Sequence, residues 1–228
     1  MPHSYRLHPL QWVMPVFAML AAFSGHHDFD TAFALLKPIP VMLLLVCVWQ
    51  VADRRRHAPA TWLLLVGLGL SLQGDVWLLL DSGFIAGLSS FWLAHACYIL
   101  LFRRDQPWRR HIWLAASCIT GCATGALVIY LWHNGLPNSM RLPALAYAAI
   151  IVYMASHALA RAATLRTPAA YCVAAGAVVF MFSDAVLAVN RFSHPISSAQ
   201  LWILGSYYLA QWLIVYGMLP TLQPSSKK

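Results

Sequence analysis

The chain has 228 residues, of which 61% are hydrophobic and 10% are charged, and its formal net charge is +8. Soluble domains average about 45–50% apolar and about 25% charged residues, so this composition excludes an ordinary soluble protein. The Lys and Arg residues stand in short clusters between apolar runs and form no extended basic face, which argues against nucleic acid as a partner. The chain is therefore expected to lie almost wholly within a membrane.

Continuous apolar runs separated by short polar segments predict the helices, because a bilayer core of about 30 Å needs about 20 apolar residues per helix. Strands of a membrane barrel would alternate apolar and polar residues, and these runs do not. We expect an all-α polytopic membrane protein with about eight transmembrane helices, in a single transmembrane domain over residues 1–228. The predicted spans lie near residues 9–24, 31–51, 60–80, 83–103, 110–131, 142–161, 168–191 and 199–219.

Two local patterns refine this topology. Pro38 and Pro40 lie early in the second span and predict a bend there, because proline interrupts helical hydrogen bonding. Twelve of the 15 Lys and Arg residues fall on the predicted side of both chain ends, whereas Arg141 and Arg191 fall on the other side and Lys37 lies within a span. The positive-inside rule then places both termini in the cytoplasm of an integral membrane protein, with the bacterial inner (plasma) membrane as the expected location.

Charged side chains within the spans are the first functional signal, because such residues usually face a partner or a cavity. Lys37, Asp75 and Asp184 each lie about 8–10 Å from the outer helix ends, and His95 and Gln211 lie about 18 Å in, at about 1.5 Å per residue. We expect these side chains to form one cluster. The alternative is that the acids only join helices by hydrogen bonds and that Lys37 extends toward lipid headgroups.

A short internal match supports the pairing of the two acids. Asp75 follows a small residue in the third span, and Leu-Ala-His95 follows in the fourth; Asp184 follows a small residue in the seventh span, and Leu-Ala-Gln211 follows in the eighth. A parallel repeat of four plus four helices would place the two Asp residues in equivalent positions.

Two buried carboxyl groups at one depth are the strongest candidates for catalysis. If both face one cavity, repulsion and desolvation would keep one protonated and the other ionised, which provides a general acid and a general base. Other polar residues of the spans are candidate substrate contacts, with packing or bonding between helices as the alternative for each. These candidates are Lys37, His95, Tyr98, Ser183, Asn190, Tyr207, Tyr208 and Gln211. No HExxH motif, phosphate loop or GxSxG elbow occurs, and no metal site is expected.

Five segments carry a resemblance to the lysoplasmalogenase (YhhN-like) family of integral membrane proteins. These are LKP (36–38), GDVWLLL (74–80), FIAGLSSFWLAHACYILLF (84–102), GAVVFMFSDAVLAVNRF (176–192) and YYLAQWLI (207–214). The resemblance implies an enzyme that hydrolyses the vinyl ether bond of lysoplasmalogens, alkenyl-glycerophosphoethanolamine or -choline, to a fatty aldehyde and the glycerophospho-base. It implies no metal or organic cofactor, and its implied partners are a lysophospholipid substrate and membrane lipids.

The implied reaction gives the two acids separate roles. Protonation of the vinyl ether creates an oxocarbenium ion that water then attacks, so we expect one Asp to be the protonated acid and the other, ionised, to stabilise the cation and orient the water. Which of Asp75 and Asp184 takes which role stays open here. Lys37 would pair with the ionised Asp or bind the substrate phosphate. The rival hypotheses are a proton-coupled transporter or binding protein for a lipid-like substrate, and a membrane scaffold.

Overall fold

The protein is described by a computed structural model that covers residues 9–27, 30–52, 58–105, 107 and 109–222. Within these ranges it is all-helical, as predicted, with nine helices and no strand. The helices are α1 (Pro9–His26), α2 (Asp30–Leu36), α3 (Ile39–Val51), α4 (Ala58–Trp77), α5 (Phe84–Phe102), α6 (Arg110–His133), α7 (Asn138–Leu165), α8 (Pro168–Phe192) and α9 (Ala199–Leu222). Both chain termini and the basic cluster 54–56, on which the predicted orientation depends, lie outside the described residues.

The second predicted span is divided into α2 and α3 at Lys37 and Pro38. Pro38 is the N-cap of α3 and Pro40 lies in its first turn, where a proline needs no hydrogen-bond donor. The predicted bend is therefore confirmed. With α2 and α3 taken as one span, the helices follow the eight predicted spans in order.

Five stretches among the described residues are long and apolar enough to cross a membrane. They are Asp30–Val51, Phe84–Phe102, Arg110–His133, Asn138–Leu165 and Pro168–Phe192. The helices α1, α4 and α9 pack beside these stretches.

Helix α9 lies at the centre of the bundle and packs against α1, α3, α4 and α8. Its contact with α8 is close: a Cβ atom at Gly176 of α8 would lie 2.9 Å from the carbonyl oxygen of Ala210 in α9. Glycine is therefore required at this position, because any larger residue would push the two helices apart. This contact fixes the helix that carries Asp184 against the helix that carries Tyr207 and Gln211.

Helix α6 lies at the periphery. It packs along α7 but contacts α8 only slightly, and few of its residues are buried. At one end of the bundle, where α5 and α7 begin and α6 and α8 end, the Phe84 and Phe192 rings meet edge to face at 5.7 Å. We call this the Phe84 end. The space between α6 and α8 below it is an open groove.

Candidate active site

The first group of predicted site residues surrounds Asp75, close to the end of α4. Its carboxyl group is almost fully buried, and the Tyr207 hydroxyl donates a hydrogen bond to its Oδ2 at 2.8 Å. Lys37 is also buried and lies close enough for its charge to act on Asp75, although the described residues contain no direct ion pair between them. The Lys37 ammonium lies 5.5 Å from the centre of the Phe33 ring, and the Tyr208 hydroxyl donates to the Lys37 carbonyl oxygen at 2.8 Å. A buried anion and a buried cation thus share one compartment.

Tyr98, Gln211 and His95 extend this compartment toward the centre of the bundle. The Tyr98 hydroxyl donates to Gln211 Oε1 at 2.8 Å, and Gln211 Nε2 is buried with no hydrogen-bond partner among the described residues. His95 Nδ1 lies 2.6 Å from the carbonyl oxygen of Phe91. Because a carbonyl only accepts, Nδ1 carries the hydrogen. In the neutral ring Nε2 is then a buried acceptor, and no described residue donates to it.

Asp184 lies on a different surface of the bundle. It is partly buried in α8, and the Tyr147 hydroxyl donates to its Oδ2 at 2.8 Å. Both residues line the groove, whose volume is about 530 Å³ and whose walls are α6, α7 and α8 with the first turns of α5. Apart from Thr120 and Thr124, the other lining residues are apolar, so Asp184 is the one carboxylic acid among the described residues of this wall.

Aromatic rings separate the two acids. Phe180 contacts the Tyr207 ring at 5.5 Å on one side and the His95 ring at 4.7 Å on the other. His95 in turn meets the Tyr147 ring edge to face at 5.6 Å. Asp75 does not line the groove and shares no hydrogen-bond partner with Asp184. The structure therefore brings the residues around Asp75 together, places Asp184 across the aromatic layer, and sets His95 between them.

The side chains of two further candidates, Ser183 and Asn190, form hydrogen bonds with backbone groups. The Ser183 hydroxyl donates to the carbonyl oxygen of Ile203 at 2.8 Å and so joins α8 to α9. Asn190 Oδ1 accepts the backbone N–H of Ile196 at 2.9 Å, which fixes the turn between the same helices. Neither residue lines the groove.

Sequence reasoning missed Tyr147. It lies in a span without charged residues at its centre, and a tyrosine among apolar residues gives no signal of its own. In the structure its position is well supported, because the Trp92 indole donates to the carbonyl oxygen of the preceding Ala146 at 3.2 Å. His95, which lies on α5 like Trp92, packs its ring against the Tyr147 ring. Within the described ranges, no group of three or more His, Cys, Asp or Glu residues is arranged to hold a metal ion.

The fold and these buried polar groups define an integral membrane protein of the helical-bundle class with an acid in an apolar groove. The YhhN family profile matches residues 32–218, and the chain belongs to this family. The lysoplasmalogenase TMEM86B of Rattus norvegicus is 32% identical over 186 residues, 82% of this chain and 72% of the relative. The human TMEM86B lysoplasmalogenase is 31% identical over 85% of this chain and 78% of its own length. A lysoplasmalogenase of Mycobacterium tuberculosis is 31% identical over 82% of this chain and 72% of its own. No solved structure matches the chain significantly.

Proposed function

We propose that the protein is a membrane-embedded lysoplasmalogenase, which cleaves the vinyl ether bond of alkenyl-glycerophosphoethanolamine or -choline to a fatty aldehyde and the glycerophospho-base. Membership of the YhhN family and the names of its relatives support the activity. The observation that carries the proposal is the Asp184 carboxyl, oriented by Tyr147 in an otherwise apolar groove. We place the enzyme in the bacterial inner membrane with both termini in the cytoplasm.

The groove suits a substrate with a single hydrocarbon chain. Its volume of about 530 Å³ falls within the range of about 300–1,000 Å³ that is usual for small-molecule sites. It is open to the lipid side, because the lining residue Ile119 is 70% exposed. An alkenyl chain therefore enters from the bilayer, and its far end stays among lipid tails while the vinyl ether lies beside Asp184.

We assign the general acid to Asp184 because it is the acid that the groove reaches. Tyr147 donates to Oδ2, so Oδ1 is the oxygen that carries the proton. Protonated Asp184 donates this proton to the alkene carbon that is not bonded to oxygen, and the other alkene carbon becomes part of an oxocarbenium ion. The resulting Asp184 carboxylate accepts a proton from the water that attacks the cation. In the hemiacetal the bond to the glycerol oxygen then breaks, and the hydroxyl proton passes to that oxygen as the aldehyde forms.

Asp75 takes the second role, that of a fixed anion. Burial of Asp75 acts against a carboxylate, whereas the nearby positive charge of Lys37 and the hydrogen bond from Tyr207 favour it. Its negative charge favours the oxocarbenium ion across the aromatic layer, because charges interact over longer distances inside an apolar medium than in water. In this arrangement Lys37 serves Asp75 and not the substrate.

The remaining candidates are assigned by their contacts. His95 and Tyr207 belong to the aromatic layer between the two acids, and Tyr207 also orients Asp75. Tyr98 with Gln211, and Tyr208 with the Lys37 backbone, hold the compartment around Asp75 together. Ser183 and Asn190 act by holding α8 in place.

The test is the release of long-chain aldehyde from lysoplasmenyl-ethanolamine by the purified protein in detergent. The saturated ether analogue, which has no double bond to protonate, is the control substrate. We expect aldehyde from the vinyl ether alone. Folded protein that releases no aldehyde would contradict the hydrolase and favour the lipid transporter, since detergent removes the compartments that transport requires.

A further inference from the structure

Two arginines stand at the Phe84 end of the groove. The guanidinium carbon of Arg191 lies 5.1 Å from the centre of the Phe84 ring, and Phe84 is itself a lining residue. The guanidinium carbon of Arg141 lies 4.1 Å from the Trp132 ring at the end of α6. Each cation therefore rests on an aromatic face next to the point where the groove ends.

Helix periodicity places both arginines in line with the groove. On α8 the lining residues Asp184, Leu187 and Ala188 are followed by Arg191, seven residues after Asp184 and so two turns further on the same face. On α7 the lining residues Met140, Ala144 and Ala148 form the corresponding stripe, and Arg141 lies next to Met140 and three residues before Ala144, on the same side of the helix. Each apolar stripe thus has an arginine beside its Phe84 end.

In the part of the chain that the structure describes, no Asp forms an ion pair with Arg141 or Arg191, so neither is neutralised there by an acid. Arg191 is exposed, and Arg141 Nε is buried without a hydrogen-bond partner among the described residues. A guanidinium that stacks on a ring still presents its N–H edge, which matches the geometry of a phosphate.

We propose that Arg191, together with Arg141, binds the phosphodiester of the substrate headgroup. The inference rests on the proposed function, which puts the vinyl ether beside Asp184. Two helical turns separate Asp184 from Arg191 by about 10 Å. In a lysoplasmalogen six covalent bonds separate the vinyl ether carbon from phosphorus, a span of about 8 Å when extended. The lengths agree, so one molecule reaches both groups while its chain lies in the groove.

Binding of a ligand that cannot be hydrolysed tests this site. We would compare a saturated ether lysophosphatidylethanolamine with the corresponding alkylglycerol, which has the same chain and no phosphate, on the full-length protein in nanodiscs. Arg191→Gln should weaken binding of the lysophospholipid about tenfold, the usual size of a lost hydrogen bond to a charged group. Binding of the alkylglycerol should not change. Arg141→Gln should act in the same direction.

Arg166→Gln is the matched control, because Arg166 is an exposed arginine at the opposite end of α7. Unchanged lysophospholipid affinity in Arg191→Gln would contradict the proposal. An equal loss of affinity for both ligands would also contradict it, because it would mean that Arg191 acts only by packing on Phe84. Displacement of the lysophospholipid by inorganic phosphate at a similar concentration would mean that the site takes free phosphate, and would overturn the lipid assignment.

The result is independent of turnover. Arginine-dependent binding without aldehyde release would retain the phosphate site and contradict the hydrolase. Aldehyde release together with lysophospholipid binding that does not depend on Arg191 would support the hydrolase and contradict the phosphate site.

Discussion

The two acids of this protein lie in contrasting surroundings. Asp75 has a nearby cation and a phenol donor but does not line the groove. Asp184 has a phenol donor and an apolar groove at its side, and within the described residues it has no ion pair. Each arrangement suits one protonation state: a compensated anion can stay ionised in the core, and an uncompensated acid in an apolar wall is more stable as the neutral form. In the proposed mechanism, the bundle thus presents an acid and an anion to the same reaction without direct contact between them.

The largest effect is expected at Asp184. Asp184→Asn removes the transferable proton while keeping size and the contact with Tyr147. Aldehyde release should fall by about 10³-fold, within the usual range for a general acid, while the protein still folds. The measurement is kcat on lysoplasmenyl-ethanolamine, with thermal unfolding in detergent as the check on folding. Turnover close to that of the unaltered protein would remove Asp184 from the mechanism.

Replacement of Asp75 should have a different effect from replacement of Asp184, because it should lower the stability of the protein as well as the rate. Asp75→Asn should lower kcat about 10²-fold, the size of a lost electrostatic contact to the transition state. It should also lower the free energy of unfolding by about 3 kcal/mol, because buried Lys37 loses its counter-charge. The double variant Asp75→Asn with Lys37→Met should regain stability without regaining activity. If stability and activity return together, Asp75 has no role in the chemistry.

Tyr147 tests the orientation of the acid. Tyr147→Phe keeps the ring against His95 and removes the donor to Asp184, so kcat should fall about tenfold with little change in KM. Tyr153→Phe, on the same helix but away from the groove, is the control. An unchanged kcat in Tyr147→Phe would mean that Asp184 needs no orienting donor.

The smallest effect is expected at Tyr208. Tyr208→Phe removes its hydrogen bond to the Lys37 carbonyl oxygen and should lower the free energy of unfolding by about 1 kcal/mol. Tyr171→Phe, an exposed tyrosine on α8, is the control in the same unfolding measurement. Equal stability of both variants would mean that the bend at Lys37 does not depend on Tyr208.

The sequence predicts the order of the helices well and their rotation poorly. Hydropathy and prolines predict that order and the division between α2 and α3, and residue counting predicts one layer for Lys37, Asp75 and Asp184. Counting along a span says nothing about rotation around its axis or about which helices are neighbours. The aromatic layer between Asp75 and Asp184 is therefore not predicted, and the peripheral position of α6, which creates the groove, has no counterpart in the sequence. The parallel four-plus-four repeat stays a prediction.

The slight contact between α6 and α8 has a kinetic consequence. If the substrate enters the site from the bilayer, the turnover rate depends on the mole fraction of substrate in the surrounding lipid. Dilution of the substrate with inert phospholipid should therefore slow turnover even when its bulk concentration is constant. In the proposed mechanism the two products leave in different directions. The aldehyde would return to the bilayer through the gap beside Ile119, and the water-soluble glycerophospho-base would leave past the arginines at the Phe84 end.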